Sequence, residues 1–479
     1  MRKMIMGAAA GAMSLACGWS AFAQTAQPAS PAPTSLPAPG ADPMRIDPAA
    51  DPILRLARTQ ASIETFRAVV AGAVERHPGT REYQALTEEA REVVAEAHER
   101  QLPTVDINIQ TYRVLAREFS NDPNNIIESS RAEQRTDALV SVSQTLFDWG
   151  AGGYRELSAS ARLRGAAAEA EYAADRTALG AVAAWYDVFA FRALVALAES
   201  FITNQQELRS AVEQRITQGV SAPGDAAQVE TYIATAQRRL AIFRRQLANA
   251  EARYTELLGT PPPANLERAP PPGGPALTRD RAALEAMGSP AARAAQAQAD
   301  SARQEAKAVK ADRLPLLSGG VEAGRYGVIE NDRDYDVRGR LSIRQRFFGG
   351  ANARYNQAAA RATAADARAS RIRDEASRDA AIAWSDVRAL EQQLSALEAA
   401  YIASRRSRDV LVERFLASRG TLFDVVAAED SYFESAAAYI QALSELDAAR
   451  YVLLSRTGGL LEVLGIDPDY LSGENGGSE

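Results

Sequence analysis

The chain has 479 residues, 46% hydrophobic and 24% charged, with a formal net charge of −7. That composition is globular, and the acidic balance argues against a nucleic-acid partner, which needs a basic face. One cysteine, Cys17, and two histidines, His77 and His98, leave too few thiol and imidazole groups for most metal or acid–base sites.

In chain order, residues 1–23 read as a secretory signal. Arg2 and Lys3 form the charged start, Met4 to Ala16 the apolar core, and Ala21-Phe22-Ala23 the small-x-small cleavage pattern. Cleavage there removes Cys17, so the mature chain would have no thiol for a disulfide or a metal. Leu15-Ala16-Cys17 offers a lipoprotein-type alternative, lipidation of Cys17, but its Leu stands two places before the Cys rather than three. No later run reaches about 18 apolar residues, so a membrane crossing would have to use strands. Residues 24–61 are Pro/Ala-rich and read as a flexible leader.

Residues 62–260 form a first repeat. A short helix starts near Ser62, and His77-Pro78 opens a second one that closes at Leu102-Pro103, proline being favourable in a first turn. The period then switches to two, Val105, Ile107 and Ile109 alternating with Asp106, Asn108 and Gln110. This predicts a hairpin over 104–148, turning around Asn121–Asn125, with strands of the length and pattern of a transmembrane β-strand. A proline-free rod follows over 150–218, then a glycine-marked turn at Gly219–Asp225 and a returning helix over 226–258.

A Pro-rich connector, 261–275, leads to a second repeat over 276–462. Here the hairpin spans 316–348, the rod 351–419 and the returning helix 425–457, and residues 463–479 read as a disordered tail. The second rod has neither Gly nor Pro, and at about 1.5 Å per residue it would reach about 100 Å. Its heptad seam, Ala383, Val387, Leu390, Leu394, Leu397 and Tyr401, has a counterpart in Ala184, Val188, Phe191, Val195, Ala198 and Ile202. Each position lies 199 residues before its partner, as Val188 does before Val387. Trp185 and Trp384 lie beside these seams, and Arg209 corresponds to Arg408. The chain is an internal duplication.

Two hairpins cannot close a barrel, and an open sheet edge in lipid leaves backbone groups unsatisfied at several kcal/mol each. An open lumen needs more than about eight strands. Three copies would supply twelve strands, continued by six rods. Arg338, Arg340, Arg344 and Arg346 share one face of the last strand, opposite Val337, Leu341, Ile343 and Phe347. A charge facing lipid at mid-bilayer costs about 2–4 kcal/mol, so these arginines should face the lumen. There they form either a wet wall compensated by Asp106 and Glu322 or an anion-favouring exit.

The duplicated helix–hairpin–rod layout, the His77-Pro78 to Leu102-Pro103 helix and the strand exit Leu146-Phe147-Asp148-Trp149-Gly150 resemble the TolC-like outer-membrane channel family. So do Gly420-Thr421-Leu422-Phe423-Asp424-Val425-Val426-Ala427-Ala428-Glu429-Asp430 and Ala448 to Leu454. The resemblance covers about Ser62 to Gly465. It implies a mainly α protomer with a transmembrane β part: a duplicated long-helix/β-hairpin unit forming a trimeric α-helical barrel plus a 12-stranded β-barrel. It further implies a homotrimer in the outer membrane of a Gram-negative bacterium, extending into the periplasm. The implied partners are outer-membrane lipid, a periplasmic adaptor (membrane fusion) protein and an inner-membrane ABC or other transporter. Within the family the tail end looks closest to the type I secretion branch, with drug efflux as the alternative. A periplasmic coiled-coil adaptor or scaffold is the rival of another class, but it would not need two strand pairs of membrane length.

The resemblance also assigns roles. Asp424 would narrow the periplasmic entrance, where residue chemistry alone offers helix capping. The family often has a second aspartate one turn on, where this chain has Ala427, so a double carboxylate ring is not expected. Asp225 has the same choice, and Asp225-x-x-Gln228 resembles a capping box. Arg419 would either pair with a neighbouring carboxylate to hold the entrance closed or stay solvated. The turn residues Gly219, Val220, Ser221, Gly420, Thr421 and Leu422 would dock the adaptor, or serve simply as helix-hairpin loops. With no Gly-rich phosphate loop, ligand cluster or nucleophile–base pair, neither an enzyme nor a cofactor or metal site is expected.

Overall fold

The described residues of the computed structural model are 36, 47–118, 132–272, 277–330 and 334–467. The signal sequence, most of the leader, both polar hairpin turns and residues 468–479 lie outside them. The elements are α1 (Pro52–Arg55), α2 (Ile63–Arg76), α3 (Pro78–Glu99), β1 (Thr104–Arg113), β2 (Gln134–Phe147), α4 (Ala151–Thr217), α5 (Pro223–Leu258), α6 (Arg279–Ala286), α7 (Pro290–Ala311), β3 (Leu316–Arg325), β4 (Tyr335–Arg344), α8 (Ala351–Leu416), α9 (Leu422–Thr457) and α10 (Leu460–Leu464).

The rods α4 and α8 have 67 and 66 residues, and neither contains a proline. Each is entered through a glycine with φ of 81°, Gly150 and Gly350, in the left-handed region where a Cβ would be strained. In the half nearer the strands, α3, α4, α7 and α8 lie side by side in that order. In the other half the order is α5, α4, α9, α8. The first rod is therefore flanked on both sides, whereas the second forms an edge. One stretch of α4 is apolar enough to cross a membrane, at a mean hydropathy of 1.6, but 67% of it is buried among these neighbours. Its apolarity belongs to packing.

At mid-height the connector is clipped to both rods. Trp185 Nε1 donates to the Glu267 carbonyl at 2.9 Å and Trp384 Nε1 to the Leu277 carbonyl at 2.7 Å. The Tyr186 and Tyr451 hydroxyls donate to the carbonyls of Ala269 and Pro270. Phe66 from α2 packs edge-on against Trp185, with ring centroids 5.3 Å apart.

Four boundaries differ from the sequence reading. The end of the leader is built into the core: Ile53 and Leu54 are buried beside Leu194, Tyr401 and Tyr432, and Asp51 caps α1. The second repeat runs past residue 462, because α10 and Ile466 pack into the Phe66–Trp185 cluster. The second rod stops at Leu416 rather than Arg419, the backbone turning left-handed at Ser418 (φ 60°). Both returning helices start a turn earlier than expected, at Pro223 and Leu422, because Pro223 is preset for a first turn and Thr421 caps α9.

The strands form one antiparallel sheet in the order β1-β2-β3-β4, so β1 and β4 are its edges.

Candidate functional site

Residues directly paired across antiparallel strands share a sheet face, and the register sorts this sheet into two unlike faces. On one face Val105, Ile107 and Ile109 pair with Val142, Val140 and Ala138. Val142 and Val140 meet Val321 and Ala323, and Leu317, Gly319 and Ala323 meet Ile343, Leu341 and Val337. Among the described residues no part of the chain covers this face, so Ile107 is 73% exposed and Leu341 70%. Its strand charges, Arg113 and Arg325, lie at the outer end. The other face carries Asp106, Asn108 and Gln110, then Ser141 and Ser143, then Ser318 and Glu322, then Arg338, Arg340 and Arg344. A contiguous bare apolar face of this size marks a surface meant for an apolar partner.

Three of the four candidate wall arginines share the polar face; Arg346 lies beyond the end of β4. Arg338 pairs with Asp336, and Arg340 stands 4.0 Å from Glu322. The expected compensation by Asp106 does not occur within the chain, because β2 and β3 separate it from β4.

The two strand exits differ. At the first, Asp148 accepts from the Gly150 and Gly152 amides at 2.9 and 2.6 Å, placing a carboxylate on the α4 N-terminus, where the helix dipole favours it. Trp149 Nε1 donates to the Pro315 carbonyl, and Arg155 pairs with Asp312 at 2.5 Å. The second exit reads Phe348-Gly349-Gly350, has no acidic residue in the first turn of α8, and gives α8 no side-chain cap.

At the far tips, Asp424 is the third helical residue of α9, not its N-cap. Thr421 holds that place: its hydroxyl accepts from the Asp424 amide at 3.2 Å and donates to Asp424 Oδ2 at 2.7 Å. Asp225 likewise sits inside α5, and its Oδ2 accepts from the Ala222 amide at 3.1 Å. Ala222 has no side chain with which to reciprocate, so the Asp225–Gln228 box is replaced by half a box one turn earlier. Both carboxylates stay near the surface. Arg419 is exposed and has no ion pair among the described residues. Leu422 is buried with Val212, Val229 and Phe415 and is removed from the docking candidates, whereas Val220 and Phe423 are exposed. Gly219 (φ 70°) makes the first reversal, but Ser418 rather than Gly420 makes the second.

Sequence reasoning missed the residue that ties the tips together. Arg215 donates to the Phe415 carbonyl at 2.7 Å and lies over the Phe415 ring, 4.4 Å from its centroid. It also missed a buried polar cluster. Arg408 is fully buried against Asp409 at 2.7 Å, Glu429 at 3.5 Å and the Tyr432 ring. Burial pushes the Glu429 carboxyl above its usual range, and Arg408 opposes that shift. Tyr401 donates to Asp51 at 2.9 Å and meets Tyr432, and Arg405 pairs with the same carboxylate. The match of Arg408 with Arg209 gave no hint of this, because Arg209 is a surface residue paired with Glu213 and Glu230.

Comparison with known proteins agrees with this geometry. The sequence model of the family described as "Outer membrane efflux protein" matches residues 69–260. The outer membrane efflux protein BepC of Brucella suis biovar 1 (strain 1330) is 26% identical over 350 residues, covering 68% of this chain and 73% of that protein. The outer-membrane channel OprN superposes with a TM-score of 0.72 at 20% identity, covering 87% of this chain and 94% of that one. The outer membrane protein VceC of Vibrio cholerae gives 0.73 at 17%, covering 83% and 96%. A bare apolar sheet face, paired rods of 67 and 66 residues and these likenesses converge: the chain resembles the TolC-like outer membrane efflux proteins and shares the fold of the outer-membrane channels it superposes on.

Proposed function

We propose that this protein is the exit duct of a tripartite export system, working as a homotrimer. The two-faced sheet carries the reading. Its apolar face suits lipid, its polar face suits a water-filled lumen, and its unpaired edges β1 and β4 need partners to satisfy their backbone groups in a bilayer. Three protomers give twelve strands, enough for an open lumen with Arg338, Arg340 and Arg344 on the wall. A periplasmic adaptor docks at the tips through Gly219, Val220, Ser221, Gly420 and Thr421, joined by Phe423, and links the duct to an inner-membrane transporter. Asp424, Asp225 and Arg419 narrow the entrance; the capping bonds of Asp424 use Oδ2, which leaves Oδ1 to face a neighbour.

For the cargo, the family description and BepC's name favour efflux, which we read as export of small toxic compounds. Type I protein secretion is the second reading, favoured by the resemblance of the chain's tail end to that branch of the family. Heat-modifiable trimer migration and stepwise conductance in planar bilayers test the duct, and a stable soluble monomer would refute it. Asp424→Ala or Arg419→Ala is expected to raise single-channel conductance; no change removes them from the entrance. Deletion of the gene, followed by drug susceptibility and secreted-protein profiles, separates the cargoes.

A further inference from the structure

The second strand exit holds a cavity of about 690 Å³ between α7, the start of α8 and the adjoining ends of β3 and β4. Six arginines line it, Arg162, Arg313, Arg344, Arg346, Arg354 and Arg361, against two carboxylates, Glu305 and Asp312. Asp312 is already engaged by Arg155. Arg162 is held by the Ser301 hydroxyl at 3.2 Å, and Arg313 lies over the Tyr355 ring. Among the described residues, the side chains of Arg344, Arg346, Arg354 and Arg361 have neither an ion pair nor a hydrogen bond.

Four guanidinium groups facing a single carboxylate not engaged elsewhere, Glu305, keep an excess of positive charge and repel one another unless an anion joins them, and each presents a fork suited to phosphate or carboxylate oxygens. The first repeat shows what the second lacks. There Asp148 lays its carboxylate on the rod's first amides, and the strand residues matching Arg344 and Arg346 are Ser143 and Thr145. The second repeat has replaced a built-in anion with cations and open volume.

The geometry points to a binding site for a small multivalent anion, phosphate-bearing in character, at the second strand exit. Arg344, Arg346, Arg354 and Arg361 grip it, with Arg313 and Arg162 behind. The volume falls within the usual range of ligand pockets, about 300–1,000 Å³, and exceeds what a single ion needs. Arg344 and Leu316, which are paired on the polar sheet face, both line the cavity, so it opens on the side read above as the lumen. The site's position in the pore rests on that reading; the site itself does not.

The test uses the full-length trimer in detergent and pyrophosphate as probe, by equilibrium dialysis at low salt. Wild-type protein is expected to bind pyrophosphate. Arg344→Ser/Arg346→Thr, which copies the first repeat, should weaken binding at least tenfold, while Arg338→Ser leaves it unchanged. Absence of binding, or equal binding by the double variant, overturns the site. Competition by phosphatidylglycerol assigns the same cations to a lipid headgroup and rules out a soluble ligand. In planar bilayers, pyrophosphate should reduce wild-type conductance and spare the double variant. Binding without block keeps the site and refutes its place in the lumen.

Discussion

The two rods share a length, a seam and a left-handed glycine entrance, yet the same positions have opposite environments. Trp185 is buried, while Trp384 is half-exposed. Asp175 is buried under Ser455, while Asp374, at the matching position, faces solvent. Arg209 lies on the surface, while Arg408 is sealed. Duplication fixed the backbone, and neighbours set the chemistry. The first rod, flanked on both sides, supplies the chain's internal packing. The second, at the edge, keeps bare faces for what lies outside the chain.

Three substitution pairs and one single substitution test this division. Arg408→Met should cost the most, about 3–5 kcal/mol, because it leaves the carboxylates of Asp409 and Glu429 buried beside no cation. Arg209→Met should stay within about 1 kcal/mol; thermal unfolding of the detergent-solubilised protein compares them, and equal costs would refute the contrast. Trp185→Ala should cost about 3–5 kcal/mol through loss of the Phe66 and Tyr254 contacts, and Trp384→Ala about half of that.

The third pair is read by pH. Burial raises the Asp175 carboxyl to about 6, with the Ser455 hydroxyl opposing. A raised carboxyl pKa means that the folded state holds the proton more tightly. Stability should therefore fall by about 3 kcal/mol as pH rises from about 4 to 6, and then level off. Asp175→Asn should flatten that slope, and Asp374→Asn should leave it unaltered. Smallest is Asp148→Ala, at about 1 kcal/mol through loss of its bonds to the Gly150 and Gly152 amides. Gly349→Ala provides no matched control, since its φ of 67° adds strain of its own.

The layout was legible because it rests on periodicity and on glycine and proline punctuation: Val105-x-Ile107-x-Ile109 can only alternate, and a proline-free rod has nothing to break it. What escaped depended on contacts distant in sequence. Leu422 looked like a tip residue until Val212 and Phe415 closed over it. Asp424 and Asp225 looked like caps, and their bonds are capping bonds, but Thr421 and Ala222 occupy the N-cap positions. The register that gathers Arg338, Arg340 and Arg344 with Glu322 needs β3 beside β4. The alternation of each strand showed its own two faces but not its neighbour.

The hydrogen bond from Tyr401 to Asp51 joins positions 350 residues apart. During synthesis at about 5–20 residues per second, the phenol follows its acceptor by tens of seconds. The segment around α1 can meet Leu194 of the first rod earlier, but its burial completes only when the second rod arrives. A nascent chain stopped before Tyr401 would keep that seat empty. Protease sensitivity near Ile53 would then record how much of the protein had been made.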